Sequence, residues 1–132
     1  DDQYETIKKL EEKNIFVKSM FMIGNPEDNE EKIKETIDYS TELKNTLAQF
    51  SVFTPYPGTP VFKSFENIVT AQKFEEYNQY NLVFKHKYLD SQKISSLKSL
   101  AYSRFYLRLN SIKFLFLFIK NFFFNFLNYN SK

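Results

Sequence analysis

Residues able to touch a ligand concentrate in two short stretches, each directly behind an apolar run. Gly24, Asn25, Pro26, Glu27 and Asp28 follow FVKSMFMI, and the segment from Thr54 to Thr59, TPYPGT, follows LAQFSVF. A glycine behind a strand lets backbone approach a ligand closely, and it equally suits a plain strand-ending turn. Pro57-Gly58 fits a type II turn, because proline presets φ at the second turn position and glycine accepts a positive φ at the third. Gln49 and Ser51 alternate with Phe50 and Val52, so their polar side chains project to the opposite face of a strand from the apolar ones. Such groups need partners in a core, and lining a pocket accounts for them equally well. This chemistry is binding and orientation rather than acid–base or nucleophilic work.

Other chemistries find little support. There is no cysteine, which removes a disulfide framework, a thiolate zinc site and an iron–sulfur cluster ligated from within these residues. No His, Asp or Glu cluster has metal-ligand spacing, and neither a nucleophile elbow nor a glycine-rich phosphate loop is present. His86 stands alone between lysines and reads as exposed and non-catalytic. Arg104 and Arg108 lie one helical turn apart and read as a solvated stripe rather than an anion clamp. The net charge of +2, with both signs well mixed, gives no sign of a nucleic-acid surface.

The elements that would position the two stretches follow from periodicity and caps. Tyr4, Ile7 and Leu10 predict a helix to about Lys13. Phe16 to Ile23 predicts a buried strand, and Asn29, followed by Glu30 and Glu31, predicts a helix start. Ile33, Ile37, Ser40 and Leu43 form that helix's inward face, with its end near Asn45. Leu47 to Thr54 is a second strand. Strand, helix and strand within so few residues imply a right-handed crossover between parallel strands. Both following loops then lie on one C-terminal edge, where α/β proteins place their ligand sites. Two strands and a helix cannot cover both faces of a sheet, so further strands are expected upstream of Asp1.

Thr59 and Pro60 read as N-cap and first residue of a short helix carrying Val61, Phe62 and Phe65. Residues 73–88 have no clear period and read as an excursion packed by its own rings. Asp90 caps a helix whose face is Ile94, Leu97, Ala101 and Phe105. The run from Ile112 to Leu127 is apolar around half a helical wheel, yet short and lysine-bearing for a bilayer span. Docking on another domain and contact with a membrane surface both remain open for it. The organisation expected is a βαβ part over 1–65, an aromatic-rich connection over 66–90, and a helical extension over 91–132. No signal peptide is visible, so a cytoplasmic or peripheral-membrane location is expected. The chain does not open on methionine, which suits a start within a longer protein.

FMIGNPEDNEEKIKETIDY followed by AQFSVFTPYPGTPVF resembles the latter half of the radical S-adenosylmethionine domain in its cobalamin-binding subgroup. Those proteins read as a strand ending in Gly-x-Pro-Gly-Glu-Thr, a helix, then a strand into TPYPGT. The second motif is intact from Thr54 to Thr59. In the first, Glu27 replaces glycine and Asp28 replaces glutamate, which questions the turn geometry there. YNQYNLVFKH and SLAYSRFYLRL resemble the stretch after the barrel, so the similarity spans most of residues 7–110.

The resemblance implies a partial β/α barrel with two parallel strands, followed by C-terminal helices. It implies that Ile23, Gly24, Asn25, Pro26, Gln49, Ser51 and Thr54 form the S-adenosylmethionine wall, and that Pro55 and Tyr56 face a small-molecule substrate. The four-iron cluster and cobalamin would be held by an N-terminal barrel and a cobalamin-binding domain outside these residues. The parent would be a methyltransferase or related transferase, which this segment alone could not replace. The other reading is a non-catalytic remnant or interaction module that uses the Phe-rich helix.

Overall fold

A computed structural model describes residues 2–13, 15–43 and 45–108. Helix α1 (Gln3–Glu12) opens with Asp2, whose carboxylate accepts from the Tyr4 amide at 3.0 Å. Strand β1 (Lys18–Ile23) follows, then α2 (Glu30–Glu42), β2 (Leu47–Val52) and α3 (Ser91–Tyr106). The side chains of Asn29 and Asp90 cap α2 and α3 by accepting from Lys32 N at 2.9 Å and Lys93 N at 2.7 Å. These are the donors that a helix start leaves unpaired. Helix α2 stops at Glu42 rather than near Asn45, because Leu43 turns extended (φ −65°, ψ 129°) and buries its side chain.

The two strands are parallel neighbours, with Lys18 opposite Leu47 and Ile23 opposite Val52. The chain is thus α/β, with two parallel strands in one sheet and a C-terminal helix packed against it. One sheet face carries Phe21 and Ile23 from β1 with Ala48, Phe50 and Val52 from β2. Ile33 and Ile37 of α2 and Ile94, Leu97, Ala101 and Phe105 of α3 close over it to make the main core. Full burial of each Val, Leu, Ile or Phe side chain in this core contributes roughly 1.5–3 kcal/mol. Phe50 sits at its centre, stacked on Phe21 at 5.2 Å and edge-on to Tyr102 at 5.2 Å.

The other sheet face is largely uncovered. The expected uniformly buried strand is therefore half exposed: Met20 is 66% and Met22 is 53% accessible, while Ile23 is buried. Alternation decides this, since helices lie over only one face of the sheet.

Beyond β2 the chain makes 3-10 turns over Pro60–Ser64 and Phe74–Glu76. Phe65, Val83 and Phe84 form a second cluster with Phe53 packed on it. A single antiparallel bridge, Val69 with Phe84, gives this aromatic stretch the one ladder contact among the described residues. None of the described helices is long and apolar enough to cross a membrane. The Ile112–Leu127 segment lies outside the described residues.

Candidate functional site at the strand ends

Both motif loops leave the sheet at the same edge, and the Phe53 amide still donates to the Ile23 carbonyl at 2.9 Å one residue past β2. The first loop is a turn closed by Asp28 N donating to Asn25 O at 2.8 Å. The Asp28 carboxylate folds back to accept from Asn25 N at 2.9 Å and Asn25 Nδ2 at 3.2 Å. Glu27 is not among the residues with positive φ, so this turn does not require the glycine that the related motif carries. The objection raised by its side chain falls away.

Gly24 does need to be glycine. Its φ is +74°, and a Cβ there would lie 3.1 Å from Ile94 Cδ1 and 3.6 Å from Val52 Cγ1. The missing side chain makes room for α3, which is a packing reason.

His86 is buried, contrary to the exposed residue expected from its lysine neighbours. Its Nδ1 accepts from the amides of Tyr88 and Leu89, each at 3.2 Å, which leaves Nε2–H to donate to Asn25 O at 2.8 Å. Those partners define the tautomer. The ring is a strut between residues 86–89 and the first loop, and sequence spacing carries no signal for it.

The second loop is a type II turn over Tyr56–Thr59, with Thr59 N donating to Tyr56 O at 3.2 Å and Gly58 at φ +85°. Thr59 makes no helix-capping bond. Its hydroxyl instead donates to Tyr56 O at 2.6 Å and reinforces the turn. Thr54 Oγ1 donates to Val52 O at 3.0 Å, and Pro55 is buried.

A cavity of about 300 Å³ opens on the uncovered sheet face at this edge, lined by Met20, Met22, Ser51, Thr54, Tyr56 and Gln79 among others. Ser51, Thr54 and Tyr56 come together here. Ile23 points into the helix-side core, and Gly24, Asn25, Pro26 and Pro55 lie outside the cavity wall. Gln49 lines a separate cleft of about 410 Å³ near the start of β2, with Lys18, Tyr80, Tyr102 and Tyr106.

Five lining residues, Met20, Phe21, Met22, Val52 and Gln79, were not anticipated. Met20 and Met22 sit opposite Gln49 and Ser51 in the register, and the same alternation that singled out the polar pair would have found them. Gln79 has no such signal. It holds φ +65°, the left-handed region that a side chain disfavours, while its carbonyl accepts from Val52 N at 2.8 Å.

Thioethers, hydroxyls, a phenol and an amide suit an apolar ligand with a few hydrogen-bonding groups. The groups with resolved pKa shifts, Glu30, Lys87, Lys98 and Arg108, all lie outside this cavity. No set of three or more His, Cys, Asp or Glu fit to hold a metal occurs among the described residues. The arrangement can hold and orient a ligand.

Of the expected solvated stripe, Arg104 is solvent-exposed whereas Arg108 is partly buried. Arg104 pairs with Asp38 of α2. The Arg108 guanidinium donates to the carbonyls of Ser40, Thr41, Leu43 and Asn45, capping the end of α2, and burial lowers its pKa.

No family model matches the chain. Among curated proteins it is 33% identical over 109 residues to an uncharacterized methyltransferase of Pyrococcus horikoshii, covering 81% of this chain and 23% of that protein. It is 29% identical over 104 residues to an anaerobic magnesium-protoporphyrin IX monomethyl ester cyclase of Cereibacter sphaeroides, covering 79% and 17%. It is 28% identical over 92 residues to a bacteriochlorophyllide d C-12(1)-methyltransferase of Chlorobaculum tepidum, covering 69% and 20%. The chain is related to one portion of these enzymes. It spans less than a quarter of the length of each of these three relatives.

Proposed function

We propose that this chain is the C-terminal portion of a radical S-adenosylmethionine domain of the cobalamin-binding subgroup, and that it supplies part of the wall around S-adenosylmethionine and substrate. The observation that carries the reading is the placement of GNPED and TPYPGT on one sheet edge, beside a cavity lined by Ser51, Thr54 and Tyr56. Its similarity to parts of two methyltransferases and a cyclase supports the same reading. Ser51, Thr54 and Gln79 offer hydroxyl and amide groups to a polar edge of the ligand, and Met20, Met22 and Tyr56 offer apolar surface to its ring. An S-adenosylmethionine adenosyl group has both kinds of surface, so the residues present fit it. The cluster, when bound, supplies the electron that cleaves S-adenosylmethionine to a radical. The chain has no cysteine, so the ligands to that cluster belong to a longer parent protein.

Three measurements test this. The reading frame upstream of Asp1 is expected to encode a Cys-x-x-x-Cys-x-x-Cys segment, and a frame without one overturns the catalytic reading. The full-length product, purified anaerobically and reduced, is expected to cleave S-adenosylmethionine, and filling the cavity with Ser51→Phe is expected to weaken S-adenosylmethionine binding.

A further inference from the structure

The outer edge of β2 is closed without another strand. Leu47 N donates to Val17 O and Phe53 N donates to Ile23 O, so alternate residues of β2 address β1, and Ala48, Phe50 and Val52 turn their backbone groups away from it. The Tyr106 hydroxyl accepts from Ala48 N at 3.2 Å and donates to Ala48 O at 2.9 Å. The Tyr102 hydroxyl does the same for Phe50 N at 3.2 Å and Phe50 O at 3.4 Å. At Val52 the amide donates instead to the backbone carbonyl of Gln79, at 2.8 Å.

The neighbours of Gln79 hold it in that place. Asn78 Oδ1 accepts from Tyr80 N at 3.0 Å, and Asn78 Nδ2 donates to Glu75 O at 3.2 Å. Lys98 of α3 donates to Tyr80 O at 2.6 Å, with its ammonium 5.6 Å from the centre of the Tyr80 ring. The segment is clasped between β2 and α3, and Gln79 within it holds φ +65°.

These contacts account for the backbone of Gln79 and not for its side chain. The bond to Val52 uses only the main-chain carbonyl, so glycine would make it equally well and without the crowding an L side chain meets at positive φ. Gln79 is exposed, and its carboxamide makes no hydrogen bond among the described residues. The residue lines the cavity of about 300 Å³ together with Ser51, Thr54 and Tyr56. The hydroxyls of Ser51 and Thr54 already donate to Phe21 O at 3.3 Å and Val52 O at 3.0 Å, which leaves them as acceptors. Gln79 alone in this lining carries a donor and an acceptor side by side on one planar group. Side chains kept on a strained backbone cluster where ligands are held.

We propose that Gln79 is the residue that recognises the adenine of S-adenosylmethionine, its carboxamide pairing with the 6-amino group and the ring nitrogen beside it. Adenine presents a donor next to an acceptor, and a glutamine amide matches both at once. The inference rests on the functional reading above and goes further, because it assigns base specificity to one side chain outside both motif loops. It also gives the left-handed glutamine a reason: glycine would relieve the backbone and leave the base unread.

The test is calorimetry on the full-length gene product, with S-adenosylhomocysteine and its analogue lacking the 6-amino group as paired probes. The unsubstituted protein is expected to bind the adenosyl form about tenfold more tightly, the discrimination one bidentate pair provides. Gln79→Met keeps the length and removes the amide, so it should bind the two probes equally. Gln79→Gly should lose the same preference while raising the urea unfolding midpoint, because it relieves the left-handed residue and keeps the bond to Val52. A preference that survives in Gln79→Met overturns the proposal. So does a Gln79→Gly variant that unfolds at lower urea, since the side chain would then have a structural reason to be there. Failure to bind either probe removes the functional reading and the proposal with it, whereas equal binding of both by the unsubstituted protein removes the proposal alone.

Discussion

The imidazole Nε2 of His86 donates to the carbonyl of Asn25 at 2.8 Å across 61 positions of sequence, and ties the aromatic connection to the first motif loop. The other ring nitrogen is committed to the amides of Tyr88 and Leu89. Replacing His86 with alanine strands one carbonyl and two amides, at a cost of about 1–3 kcal/mol for a buried unpaired group. Urea unfolding is expected to show a lower midpoint with an unchanged slope, and His86→Gln should recover part of the loss through its own amide.

Gly24 and Gly58 separate two costs of glycine replacement. Both hold positive φ, but only at Gly24 would a Cβ meet a neighbour, Ile94 Cδ1 at 3.1 Å, whereas Gly58 faces open space. Gly58→Ala is expected to cost about 1–2 kcal/mol, the conformational term alone. Gly24→Ala adds a clash, and Ile94→Val in the same chain should relieve part of it. Thermal or urea unfolding of the four variants in a double-mutant cycle checks this; equal costs at both glycines would show that the Ile94 contact does not matter.

Arg108 caps the end of α2 from the end of α3 by donating to four carbonyls. Arg108→Lys keeps the charge but lacks the planar fork, so it should behave more like Arg108→Ala than like the parent chain. Either change is expected to cost about 1.5–3 kcal/mol and to speed amide exchange in the last turn of α2.

Glu30 joins the starts of α2 and α3. The hydrogen bond from Lys34, then that from Lys93, lowers its pKa from the ordinary 4.5 to about 2. Its folded value lies below its unfolded one, so its contribution is fully present above 4.5 and is lost as pH falls through about 2. The group is exposed, so the effect is modest and salt weakens it. Unfolding midpoints measured down this acid range should fall less steeply in Glu30→Gln than in the parent, and the difference should shrink in high salt.

Thr54, two residues past β2, and Met22 of β1 both face the cavity. Thr54→Val keeps the shape and removes the hydroxyl, while Met22→Lys puts a charge on the apolar wall. In the full-length product each is expected to weaken S-adenosylmethionine binding about tenfold, or about 1.4 kcal/mol, as read by calorimetry. Unchanged affinity in both would remove this cavity from the binding wall.

The sequence by itself determined what local chemistry controls. Asn29 and Asp90 cap helices because their carbonyl and carboxylate oxygens reach amides three residues on. Pro57-Gly58 makes a type II turn because of the φ values those residues accept. The apolar faces of α2 and α3 follow the helical period, and two strands joined by one helix run parallel. Tertiary structure alone decided which sheet face stays bare, and so exposed Met20 and Met22 within an apolar run. It also decided that the tyrosine hydroxyls of α3 seal β2, that a lone histidine among lysines is buried, and that Gln79 adopts a left-handed backbone against Val52. The last three rest on contacts between residues 27 to 61 positions apart, and all four depend on elements whose mutual placement no local period or cap encodes.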